Sequence, residues 1–279
     1  MSIIFVVILT LFLLFPKTAQ AQIPLFHQLI AIYQPQKHQH ATGQILGLTS
    51  TKNIAVVIEP KTEVIPSPPL NIGGEGSITT IAFLGDSMIQ TLDSQIIEKS
   101  LNRYYPNHKF NILNYGQGGT GIEFALSRLP SLLSEKPNIV VIESFAYNNF
   151  GNTQSGIDRQ WLALSAITTD IQKNLPDSKI LLATTIAPHS VVFGNGSQFN
   201  FTSLEKIEKT NTIKLYLQNL VNFATSQNFP LADAFTESLV NKQGNLNFIS
   251  KTDHIHPSPQ GVTFFADTLT LAIKRYLLI

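Results

Sequence analysis

The chain has 279 residues, 43% of them hydrophobic, which suits one α/β domain of about 200 residues with additional segments and excludes a mostly disordered polymer. Only 13% of residues are charged, against the ~25% usual for soluble domains, and a net charge of +1 supplies no basic face for nucleic acid. Cysteine is absent, which excludes disulfides, thiolate metal sites, a cysteine nucleophile and a lipid-modified N-terminal cysteine.

Ile3 to Phe15 is almost entirely apolar, Pro16 interrupts it, and Ala19-Gln20-Ala21 has the small-x-small pattern of a signal-peptidase site. At about 13 residues the run is short for a ~30 Å hydrocarbon core. The expected processing is removal of residues 1–21, leaving Gln22 first. No Lys or Arg precedes the apolar run, so an uncleaved membrane anchor is the competing reading. Both place the protein outside the cytoplasm: secreted, periplasmic, or membrane-anchored through this segment and facing outward. Residues 22–76 read as an extension and linker. Within them Leu25, Phe26, Leu29, Ile30 and Tyr33 have helical spacing, Asn53 to Ile58 reads as a strand, and His38 and His40 fall in a solvated loop. Pro66-Ser67-Pro68-Pro69 and Gly73-Gly74-Glu75-Gly76 mark the boundary with a domain over 77–279.

From Ser77 strand-like and helix-like segments alternate. Strands are expected at Ile78–Leu84, Phe110–Leu113, Ile139–Ile142, Lys179–Ile186 and Phe229–Ala232. Helices are expected at Ser87–Tyr104, Ile122–Leu133, Ile157–Asn174, Ser203–Gln227 and Pro259–Leu278. Short, continuously apolar strands separated by helices indicate a mainly parallel five-stranded sheet covered on both faces, a three-layer α/β/α class. No internal repeat interrupts the pattern.

The chemistry-bearing residues follow strands. Ser87, in Gly85-Asp86-Ser87, comes after the first, where a strand-to-helix turn can expose a hydroxyl at the carboxyl edge of the sheet. Taken alone the triplet is also an ordinary helix cap. Asn114-Tyr115-Gly116-Gln117-Gly118-Gly119 follows the second strand. It lacks the Gly-Lys-Ser/Thr ending of a phosphate loop. Gly116-x-Gly118-x-x-Gly121 matches a dinucleotide fingerprint in spacing, but it follows the second strand rather than the first. Glycines there let backbone N–H groups approach a substrate oxygen, as an oxyanion hole requires. Asn148 follows the third strand and could equally be a turn asparagine. Asp253-x-x-His256 precedes the last helix and offers a carboxylate-oriented imidazole able to activate a serine. With His254 the same stretch could instead hold zinc. Glu59, Glu63, Asp158, Asp170 and Asp233 read as surface charges or caps. The loop Ala187 to Ser203 carries Phe193, Phe199 and Phe201 among Gly and Asn and could line an acyl or sugar site.

Together these four blocks resemble the SGNH hydrolases, the GDSL-type esterases and lipases, over about two-thirds of the chain and in the family's order. Met88 stands where the family usually has Leu. The third block, normally Gly-x-Asn-Asp, reads Ala146-Tyr147-Asn148-Asn149. The resemblance implies a flavodoxin-like α/β/α fold and ester hydrolysis by a Ser87–His256–Asp253 triad. The backbone N–H groups of Ser87 and Gly119 and the amide of Asn148 would form the oxyanion hole. It implies no metal and no organic cofactor, and a lipid or acetylated-carbohydrate ester as substrate. O-acyl transfer to envelope sugars would use the same residues. A non-catalytic envelope-binding module is the third reading, motivated by the altered third block.

Overall fold

Strand β1 (Ile78–Gly85) is Ile-Thr-Thr-Ile-Ala-Phe-Leu-Gly, and its last five residues are all buried, as a strand covered on both faces demands. It belongs to a computed structural model that describes residues 78–279. The chain divides into two units, Met1–Pro66 and Ser67–Ile279. The expected signal segment, the extension with its helix and strand, Glu59, Glu63 and the two early histidines lie outside the described residues.

The other sheet strands are β2 (Lys109–Gly116), β3 (Ile139–Glu143), β4 (Lys179–Thr184) and β5 (Leu231–Asp233). They assemble in the order β2-β1-β3-β4-β5, every pairing parallel. The helices are α1 (Ser87–Gln90), α2 (Ser94–Asn102), α3 (Ile122–Ser134), α4 (Gln154–Asn174), α5 (Ser203–Gln227), α6 (Ala234–Glu237) and α7 (Pro259–Arg275). Alternate strand residues face opposite layers. Ile81, Phe83, Ile139, Val141 and Leu181 pack with Ile97 and Leu101 of α2 and Phe265, Leu269 and Ile273 of α7. Ala82, Leu84, Val140, Ile142 and Leu182 pack with Leu129 of α3, Leu164 and Ile167 of α4 and Leu220 of α5. This is the expected three-layer α/β/α class, with five strands all parallel.

Some boundaries differ from the sequence expectation. Ser87–Tyr104 is two helices. Asp93 accepts a hydrogen bond from the Gln95 N–H at 2.8 Å and so caps a new helix three residues after α1 ends. Strand β4 stops at Thr184, where β5 ends beside it at Asp233. A hairpin of β6 (Leu239–Val240) and β7 (Gln243–Gly244) joins through Asn241 and Lys242, both left-handed, as a two-residue hairpin turn requires. A third apolar cluster lies off the sheet: Phe193, Tyr216, Leu217 and Phe235 enclose Ala146 and Ala187.

Register fixes what matters for a site. Gly85 pairs with Gly116, and Leu84 pairs with Ile142. The segments carrying Ser87, Gly119 and Asn148 therefore leave three adjacent strands at one edge.

Candidate active site

The nucleophile turn is built from hydrogen bonds rather than from packing alone. Asp86 caps α1 by accepting from the Met88 N–H at 2.8 Å through Oδ1, which leaves Ser87 as the first helical residue. Ser87 is half-buried and Asp86 has no exposed surface. Oδ2 of Asp86 accepts from Asn148 Nδ2 at 2.8 Å, which ties the turn after β3 to the turn after β1. Burial raises the Asp86 carboxyl above its ordinary value; the Met88 N–H, the Asn148 amide and the charges of His256 and Arg128 oppose that rise.

The glycine-rich turn is fastened to the same helix. Asn114 Nδ2 donates to the Ile89 carbonyl at 2.9 Å, and Asn114 Oδ1 accepts from the Gly116 N–H at 2.8 Å. The Gly118 N–H is committed to Gln90 Oε1 at 2.8 Å, and a Cβ on Gly118 would lie 3.6 Å from that of Ser87. Gly119 is left-handed, at φ 70°, with open space where a side chain would go. Of the two glycines, Gly119 is the one whose N–H makes no hydrogen bond among the described residues. Arg128 reaches from α3 under both turns, donating to the Tyr115 carbonyl and, at 3.2 Å, to the Gly85 carbonyl, which also accepts from the Gln117 N–H at 3.1 Å.

Asp253 and His256 form a closed unit. Asp253 Oδ2 accepts from His256 Nδ1 at 2.6 Å, while Oδ1 accepts from the N–H groups of Ile255 at 2.9 Å and His256 at 3.1 Å. Burial pushes the Asp253 carboxyl up, but the His256 ring and these two N–H groups outweigh it and hold it below its ordinary value. The loop is pinned by Ser250 N–H to His256 O at 2.8 Å and Ser258 N–H to Phe248 O at 2.8 Å. Ser258 then caps α7. No hydrogen bond joins Ser87 Oγ to His256 among the described residues; the His256 charge is one of the influences that oppose the rise of the Asp86 carboxyl. Catalytic hydrogen bonds often tighten only when substrate binds. His254 turns elsewhere, its Nδ1 2.8 Å from the Asn195 carbonyl. Among the described residues no three His, Asp or Glu side chains gather as a metal set.

Asn149 is not at the site: its amide donates to the Ala146 carbonyl at 2.8 Å and its Oδ1 accepts from the Gly151 N–H at 3.0 Å. Asp233 is a cap, accepting from the Thr236 N–H at 3.1 Å. Sequence reasoning passed over Glu143, which is fully buried at the end of β3. Its Oε2 accepts from the Phe145 N–H at 2.8 Å and its Oε1 from the Ser144 hydroxyl at 2.5 Å. Also unforeseen is a buried amide relay, Asn219 Nδ2 to Gln160 Oε1 at 2.8 Å and Gln160 Nε2 to the Ser144 carbonyl at 2.6 Å. An acidic residue ending an otherwise apolar strand was the available signal for Glu143; nothing in sequence pairs Gln160 with Asn219.

Of the loop aromatics, Phe193 is buried at 5% exposure, Phe199 is exposed at 46%, and Phe201 stacks between them at centroid distances of 6.0 and 5.2 Å.

The family model for GDSL-like lipase/acylhydrolase matches residues 81–269. Solved structures of similar fold include a lipase/acylhydrolase from Enterococcus faecalis (20% identity, 71% of this chain and 96% of that one, TM-score 0.53). The acetyl xylan esterase AlAXEase is similar at 20% identity over 70% of this chain and 99% of its own, TM-score 0.53. TesA is similar at 18% identity over 72% of this chain and 100% of its own, TM-score 0.51. No curated protein matches the chain in sequence.

Proposed function

Because this chain belongs to the GDSL-like lipase/acylhydrolase family and is thereby a hydrolase of ester bonds, we propose that it works through Ser87, His256 and Asp253 as a catalytic triad. The observation that carries the reading is the 2.6 Å bond between Asp253 Oδ2 and His256 Nδ1, in a protein whose Ser87 stands at the turn tied by Asp86 to Asn148. With Nδ1–H committed to the carboxylate, Nε2 is the free base.

In this mechanism His256 Nε2 takes the Ser87 hydroxyl proton as Oγ attacks the ester carbonyl carbon. The carbonyl electron pair moves onto oxygen, and that oxyanion is met by the N–H groups of Ser87 and Gly119 and the second N–H of the Asn148 amide. The intermediate collapses, the alkoxide leaves, and it takes the proton from His256 to depart as alcohol. Water then repeats the sequence on the acyl-enzyme, releasing the carboxylic acid and restoring Ser87. The chemistry uses only these side chains and backbone groups.

A lipid or acetylated carbohydrate ester is the proposed substrate class, from the family and the aromatic loop between Ala187 and Ser203. Export is proposed from the apolar run and Ala19-Gln20-Ala21. Among the described residues no helix is long and apolar enough to cross a membrane.

The test is a panel of acyl esters from acetyl to long-chain, run on wild type, Ser87→Ala and Asn148→Ala. Ser87→Ala is expected to lose nearly all turnover. Asn148→Ala is expected to lose about 10²–10³ in kcat with little change in KM, the usual cost of one oxyanion donor. Retained activity in Ser87→Ala would defeat the triad assignment. Reaction of Ser87 with a fluorophosphonate separates an enzyme from a binding module, which would stay unlabelled.

A further inference from the structure

Glu143 is a buried acid that the mechanism above leaves unused, and its surroundings assign it a task. It ends β3 one residue before Ser144, with no exposed surface. Phe145, two residues on, has φ 54° and ψ 23°, a left-handed conformation that an aromatic side chain seldom adopts and that stores strain. Its N–H is held at 2.8 Å by Glu143 Oε2. Phe145 opens the 3₁₀ turn Ala146–Asn148, and the Asn148 N–H closes that turn on the Phe145 carbonyl at 3.1 Å. Ser144 supplies a second tie, its hydroxyl donating to Glu143 Oε1 at 2.5 Å and accepting from the Ala146 N–H at 3.3 Å. The Glu143 side chain also lies against the strand that leads to Ser87: a Cβ on Gly85 would meet its Cβ at 3.0 Å.

A flexible side chain is thus clamped to two backbone N–H groups, that of Phe145 directly and that of Ala146 through the Ser144 hydroxyl. Strain of this kind persists only where surroundings over-determine it, and here it fixes the direction in which Asn148 leaves the sheet.

We propose that Glu143 is a positioning residue that holds Phe145 left-handed and thereby aims the Asn148 amide at the oxyanion. The proposal rests on the triad reading above, because it assigns Asn148 to the oxyanion hole. Glu143 does not touch substrate. It acts through the Ser144–Asn148 turn, with the Asn219–Gln160 relay supporting the Ser144 carbonyl from behind.

The experiment uses the full chain and a short-chain nitrophenyl ester. E143D keeps the acid but withdraws it by one methylene, so it can no longer span to the Phe145 N–H. E143Q keeps length and an acceptor oxygen. E143D is expected to lower kcat about 10–100-fold with KM within about twofold, the scale on which small misplacements cost rate. E143Q is expected to lose no more than about threefold. If Glu143 acts through Asn148, E143D added to N148A costs no more than about threefold further, since residues in one chain of contacts are non-additive.

Ser144→Ala cuts the second tie with less disturbance of the fold and is the companion variant should E143D fail to fold. It is expected to lower kcat about fivefold, again with KM unchanged. The proposal is overturned if folded E143D keeps wild-type kcat, if its full loss multiplies onto N148A, or if E143D fails to fold while Ser144→Ala keeps wild-type kcat. Wild-type chain that neither turns over esters nor reacts with fluorophosphonate at Ser87 removes the triad reading and this proposal with it. An active wild type and a dead Ser87→Ala beside an unaffected E143D remove this proposal alone.

Discussion

Asp86 follows the end of β1 and Glu143 ends the adjacent β3, neither with exposed surface, and two buried carboxyls so placed do not share a charge equally. Burial, and then the Asp86 carboxylate, push Glu143 well above its ordinary value of 4.5, against the hydrogen bonds from Ser144 and Phe145. Asp86 accepts from the Met88 N–H and the Asn148 amide, and the charges of His256 and Arg128 also oppose its rise, so of the two Glu143 holds its proton the more tightly. A raised carboxyl binds its proton more tightly folded than unfolded. Its contribution to stability is whole below pH 4.5 and is lost as pH rises through the raised value. Replacing Glu143 with Gln removes that slope, so the melting temperature of E143Q relative to wild type is expected to climb as pH rises above 4.5. A flat difference across neutral pH would show Glu143 ionised when folded. Asp253, held below its ordinary 3.8, loses its contribution only at pH below that value, so the two windows do not overlap. At this scale sequence spacing sufficed for Asp253 and His256, because a bond from residue i to i+3 is local. Glu143 showed in sequence only as an acid ending an apolar strand; its role was not legible there, because that role depends on burial, and burial follows from the layers around it.

The segment after Ser87 shows how helix ends resist reading from periodicity. Its apolar residues Met88, Ile89, Leu92, Ile96, Ile97 and Leu101 suit one continuous helix, yet the chain forms two. The break is made by Asp93, whose carboxylate satisfies the Gln95 N–H that a fresh helix would otherwise leave unpaired. Asp93→Ala is expected to cost about 1 kcal/mol, the usual worth of such a cap. For a domain of this size that is a fall of about 2–4 °C in melting temperature, read by calorimetry, with Ser87 reactivity little changed. A fall above about 4 kcal/mol would mean the residue does more than cap. The long helix α5 has the bounds expected from its apolar spacing, and the structure shows what fixes them: Thr202 and Glu205 form a reciprocal capping box at its start and Asn228 closes it left-handed. Strand β5 and the β6–β7 hairpin were harder, being only a few residues each and carrying little periodicity.

Across the whole domain, the third apolar cluster joins the aromatic loop to the turn that carries Asn148. Phe193 is buried among Tyr216, Leu217 and Phe235, with Tyr147 6.4 Å from it between ring centroids, and Tyr147 donates to the Ile186 carbonyl at 3.1 Å. Phe193→Ala is expected to destabilise by about 3–5 kcal/mol, as large-to-small changes in a core do, whereas Phe199→Ala, at an exposed position, is expected to leave the denaturation midpoint nearly unchanged. Equal effects in urea unfolding would contradict this division of the loop. Sequence alone determined the layered α/β class, the order of its five sheet strands and helices along the chain, and the four motif blocks with Ser87, Gly119, Asn148, Asp253 and His256 as candidates. Those are properties of local pattern: apolar period, caps, and short fixed spacings. Only the tertiary structure decided that Gly119 rather than Gly118 has its N–H free, that Asn148 and not Asn149 meets Asp86, that Arg128 braces two turns, and that a buried Glu143 holds a left-handed Phe145. Each of these depends on which groups three parallel strands bring side by side, and hydrogen-bond partners distant in sequence are chosen by that packing.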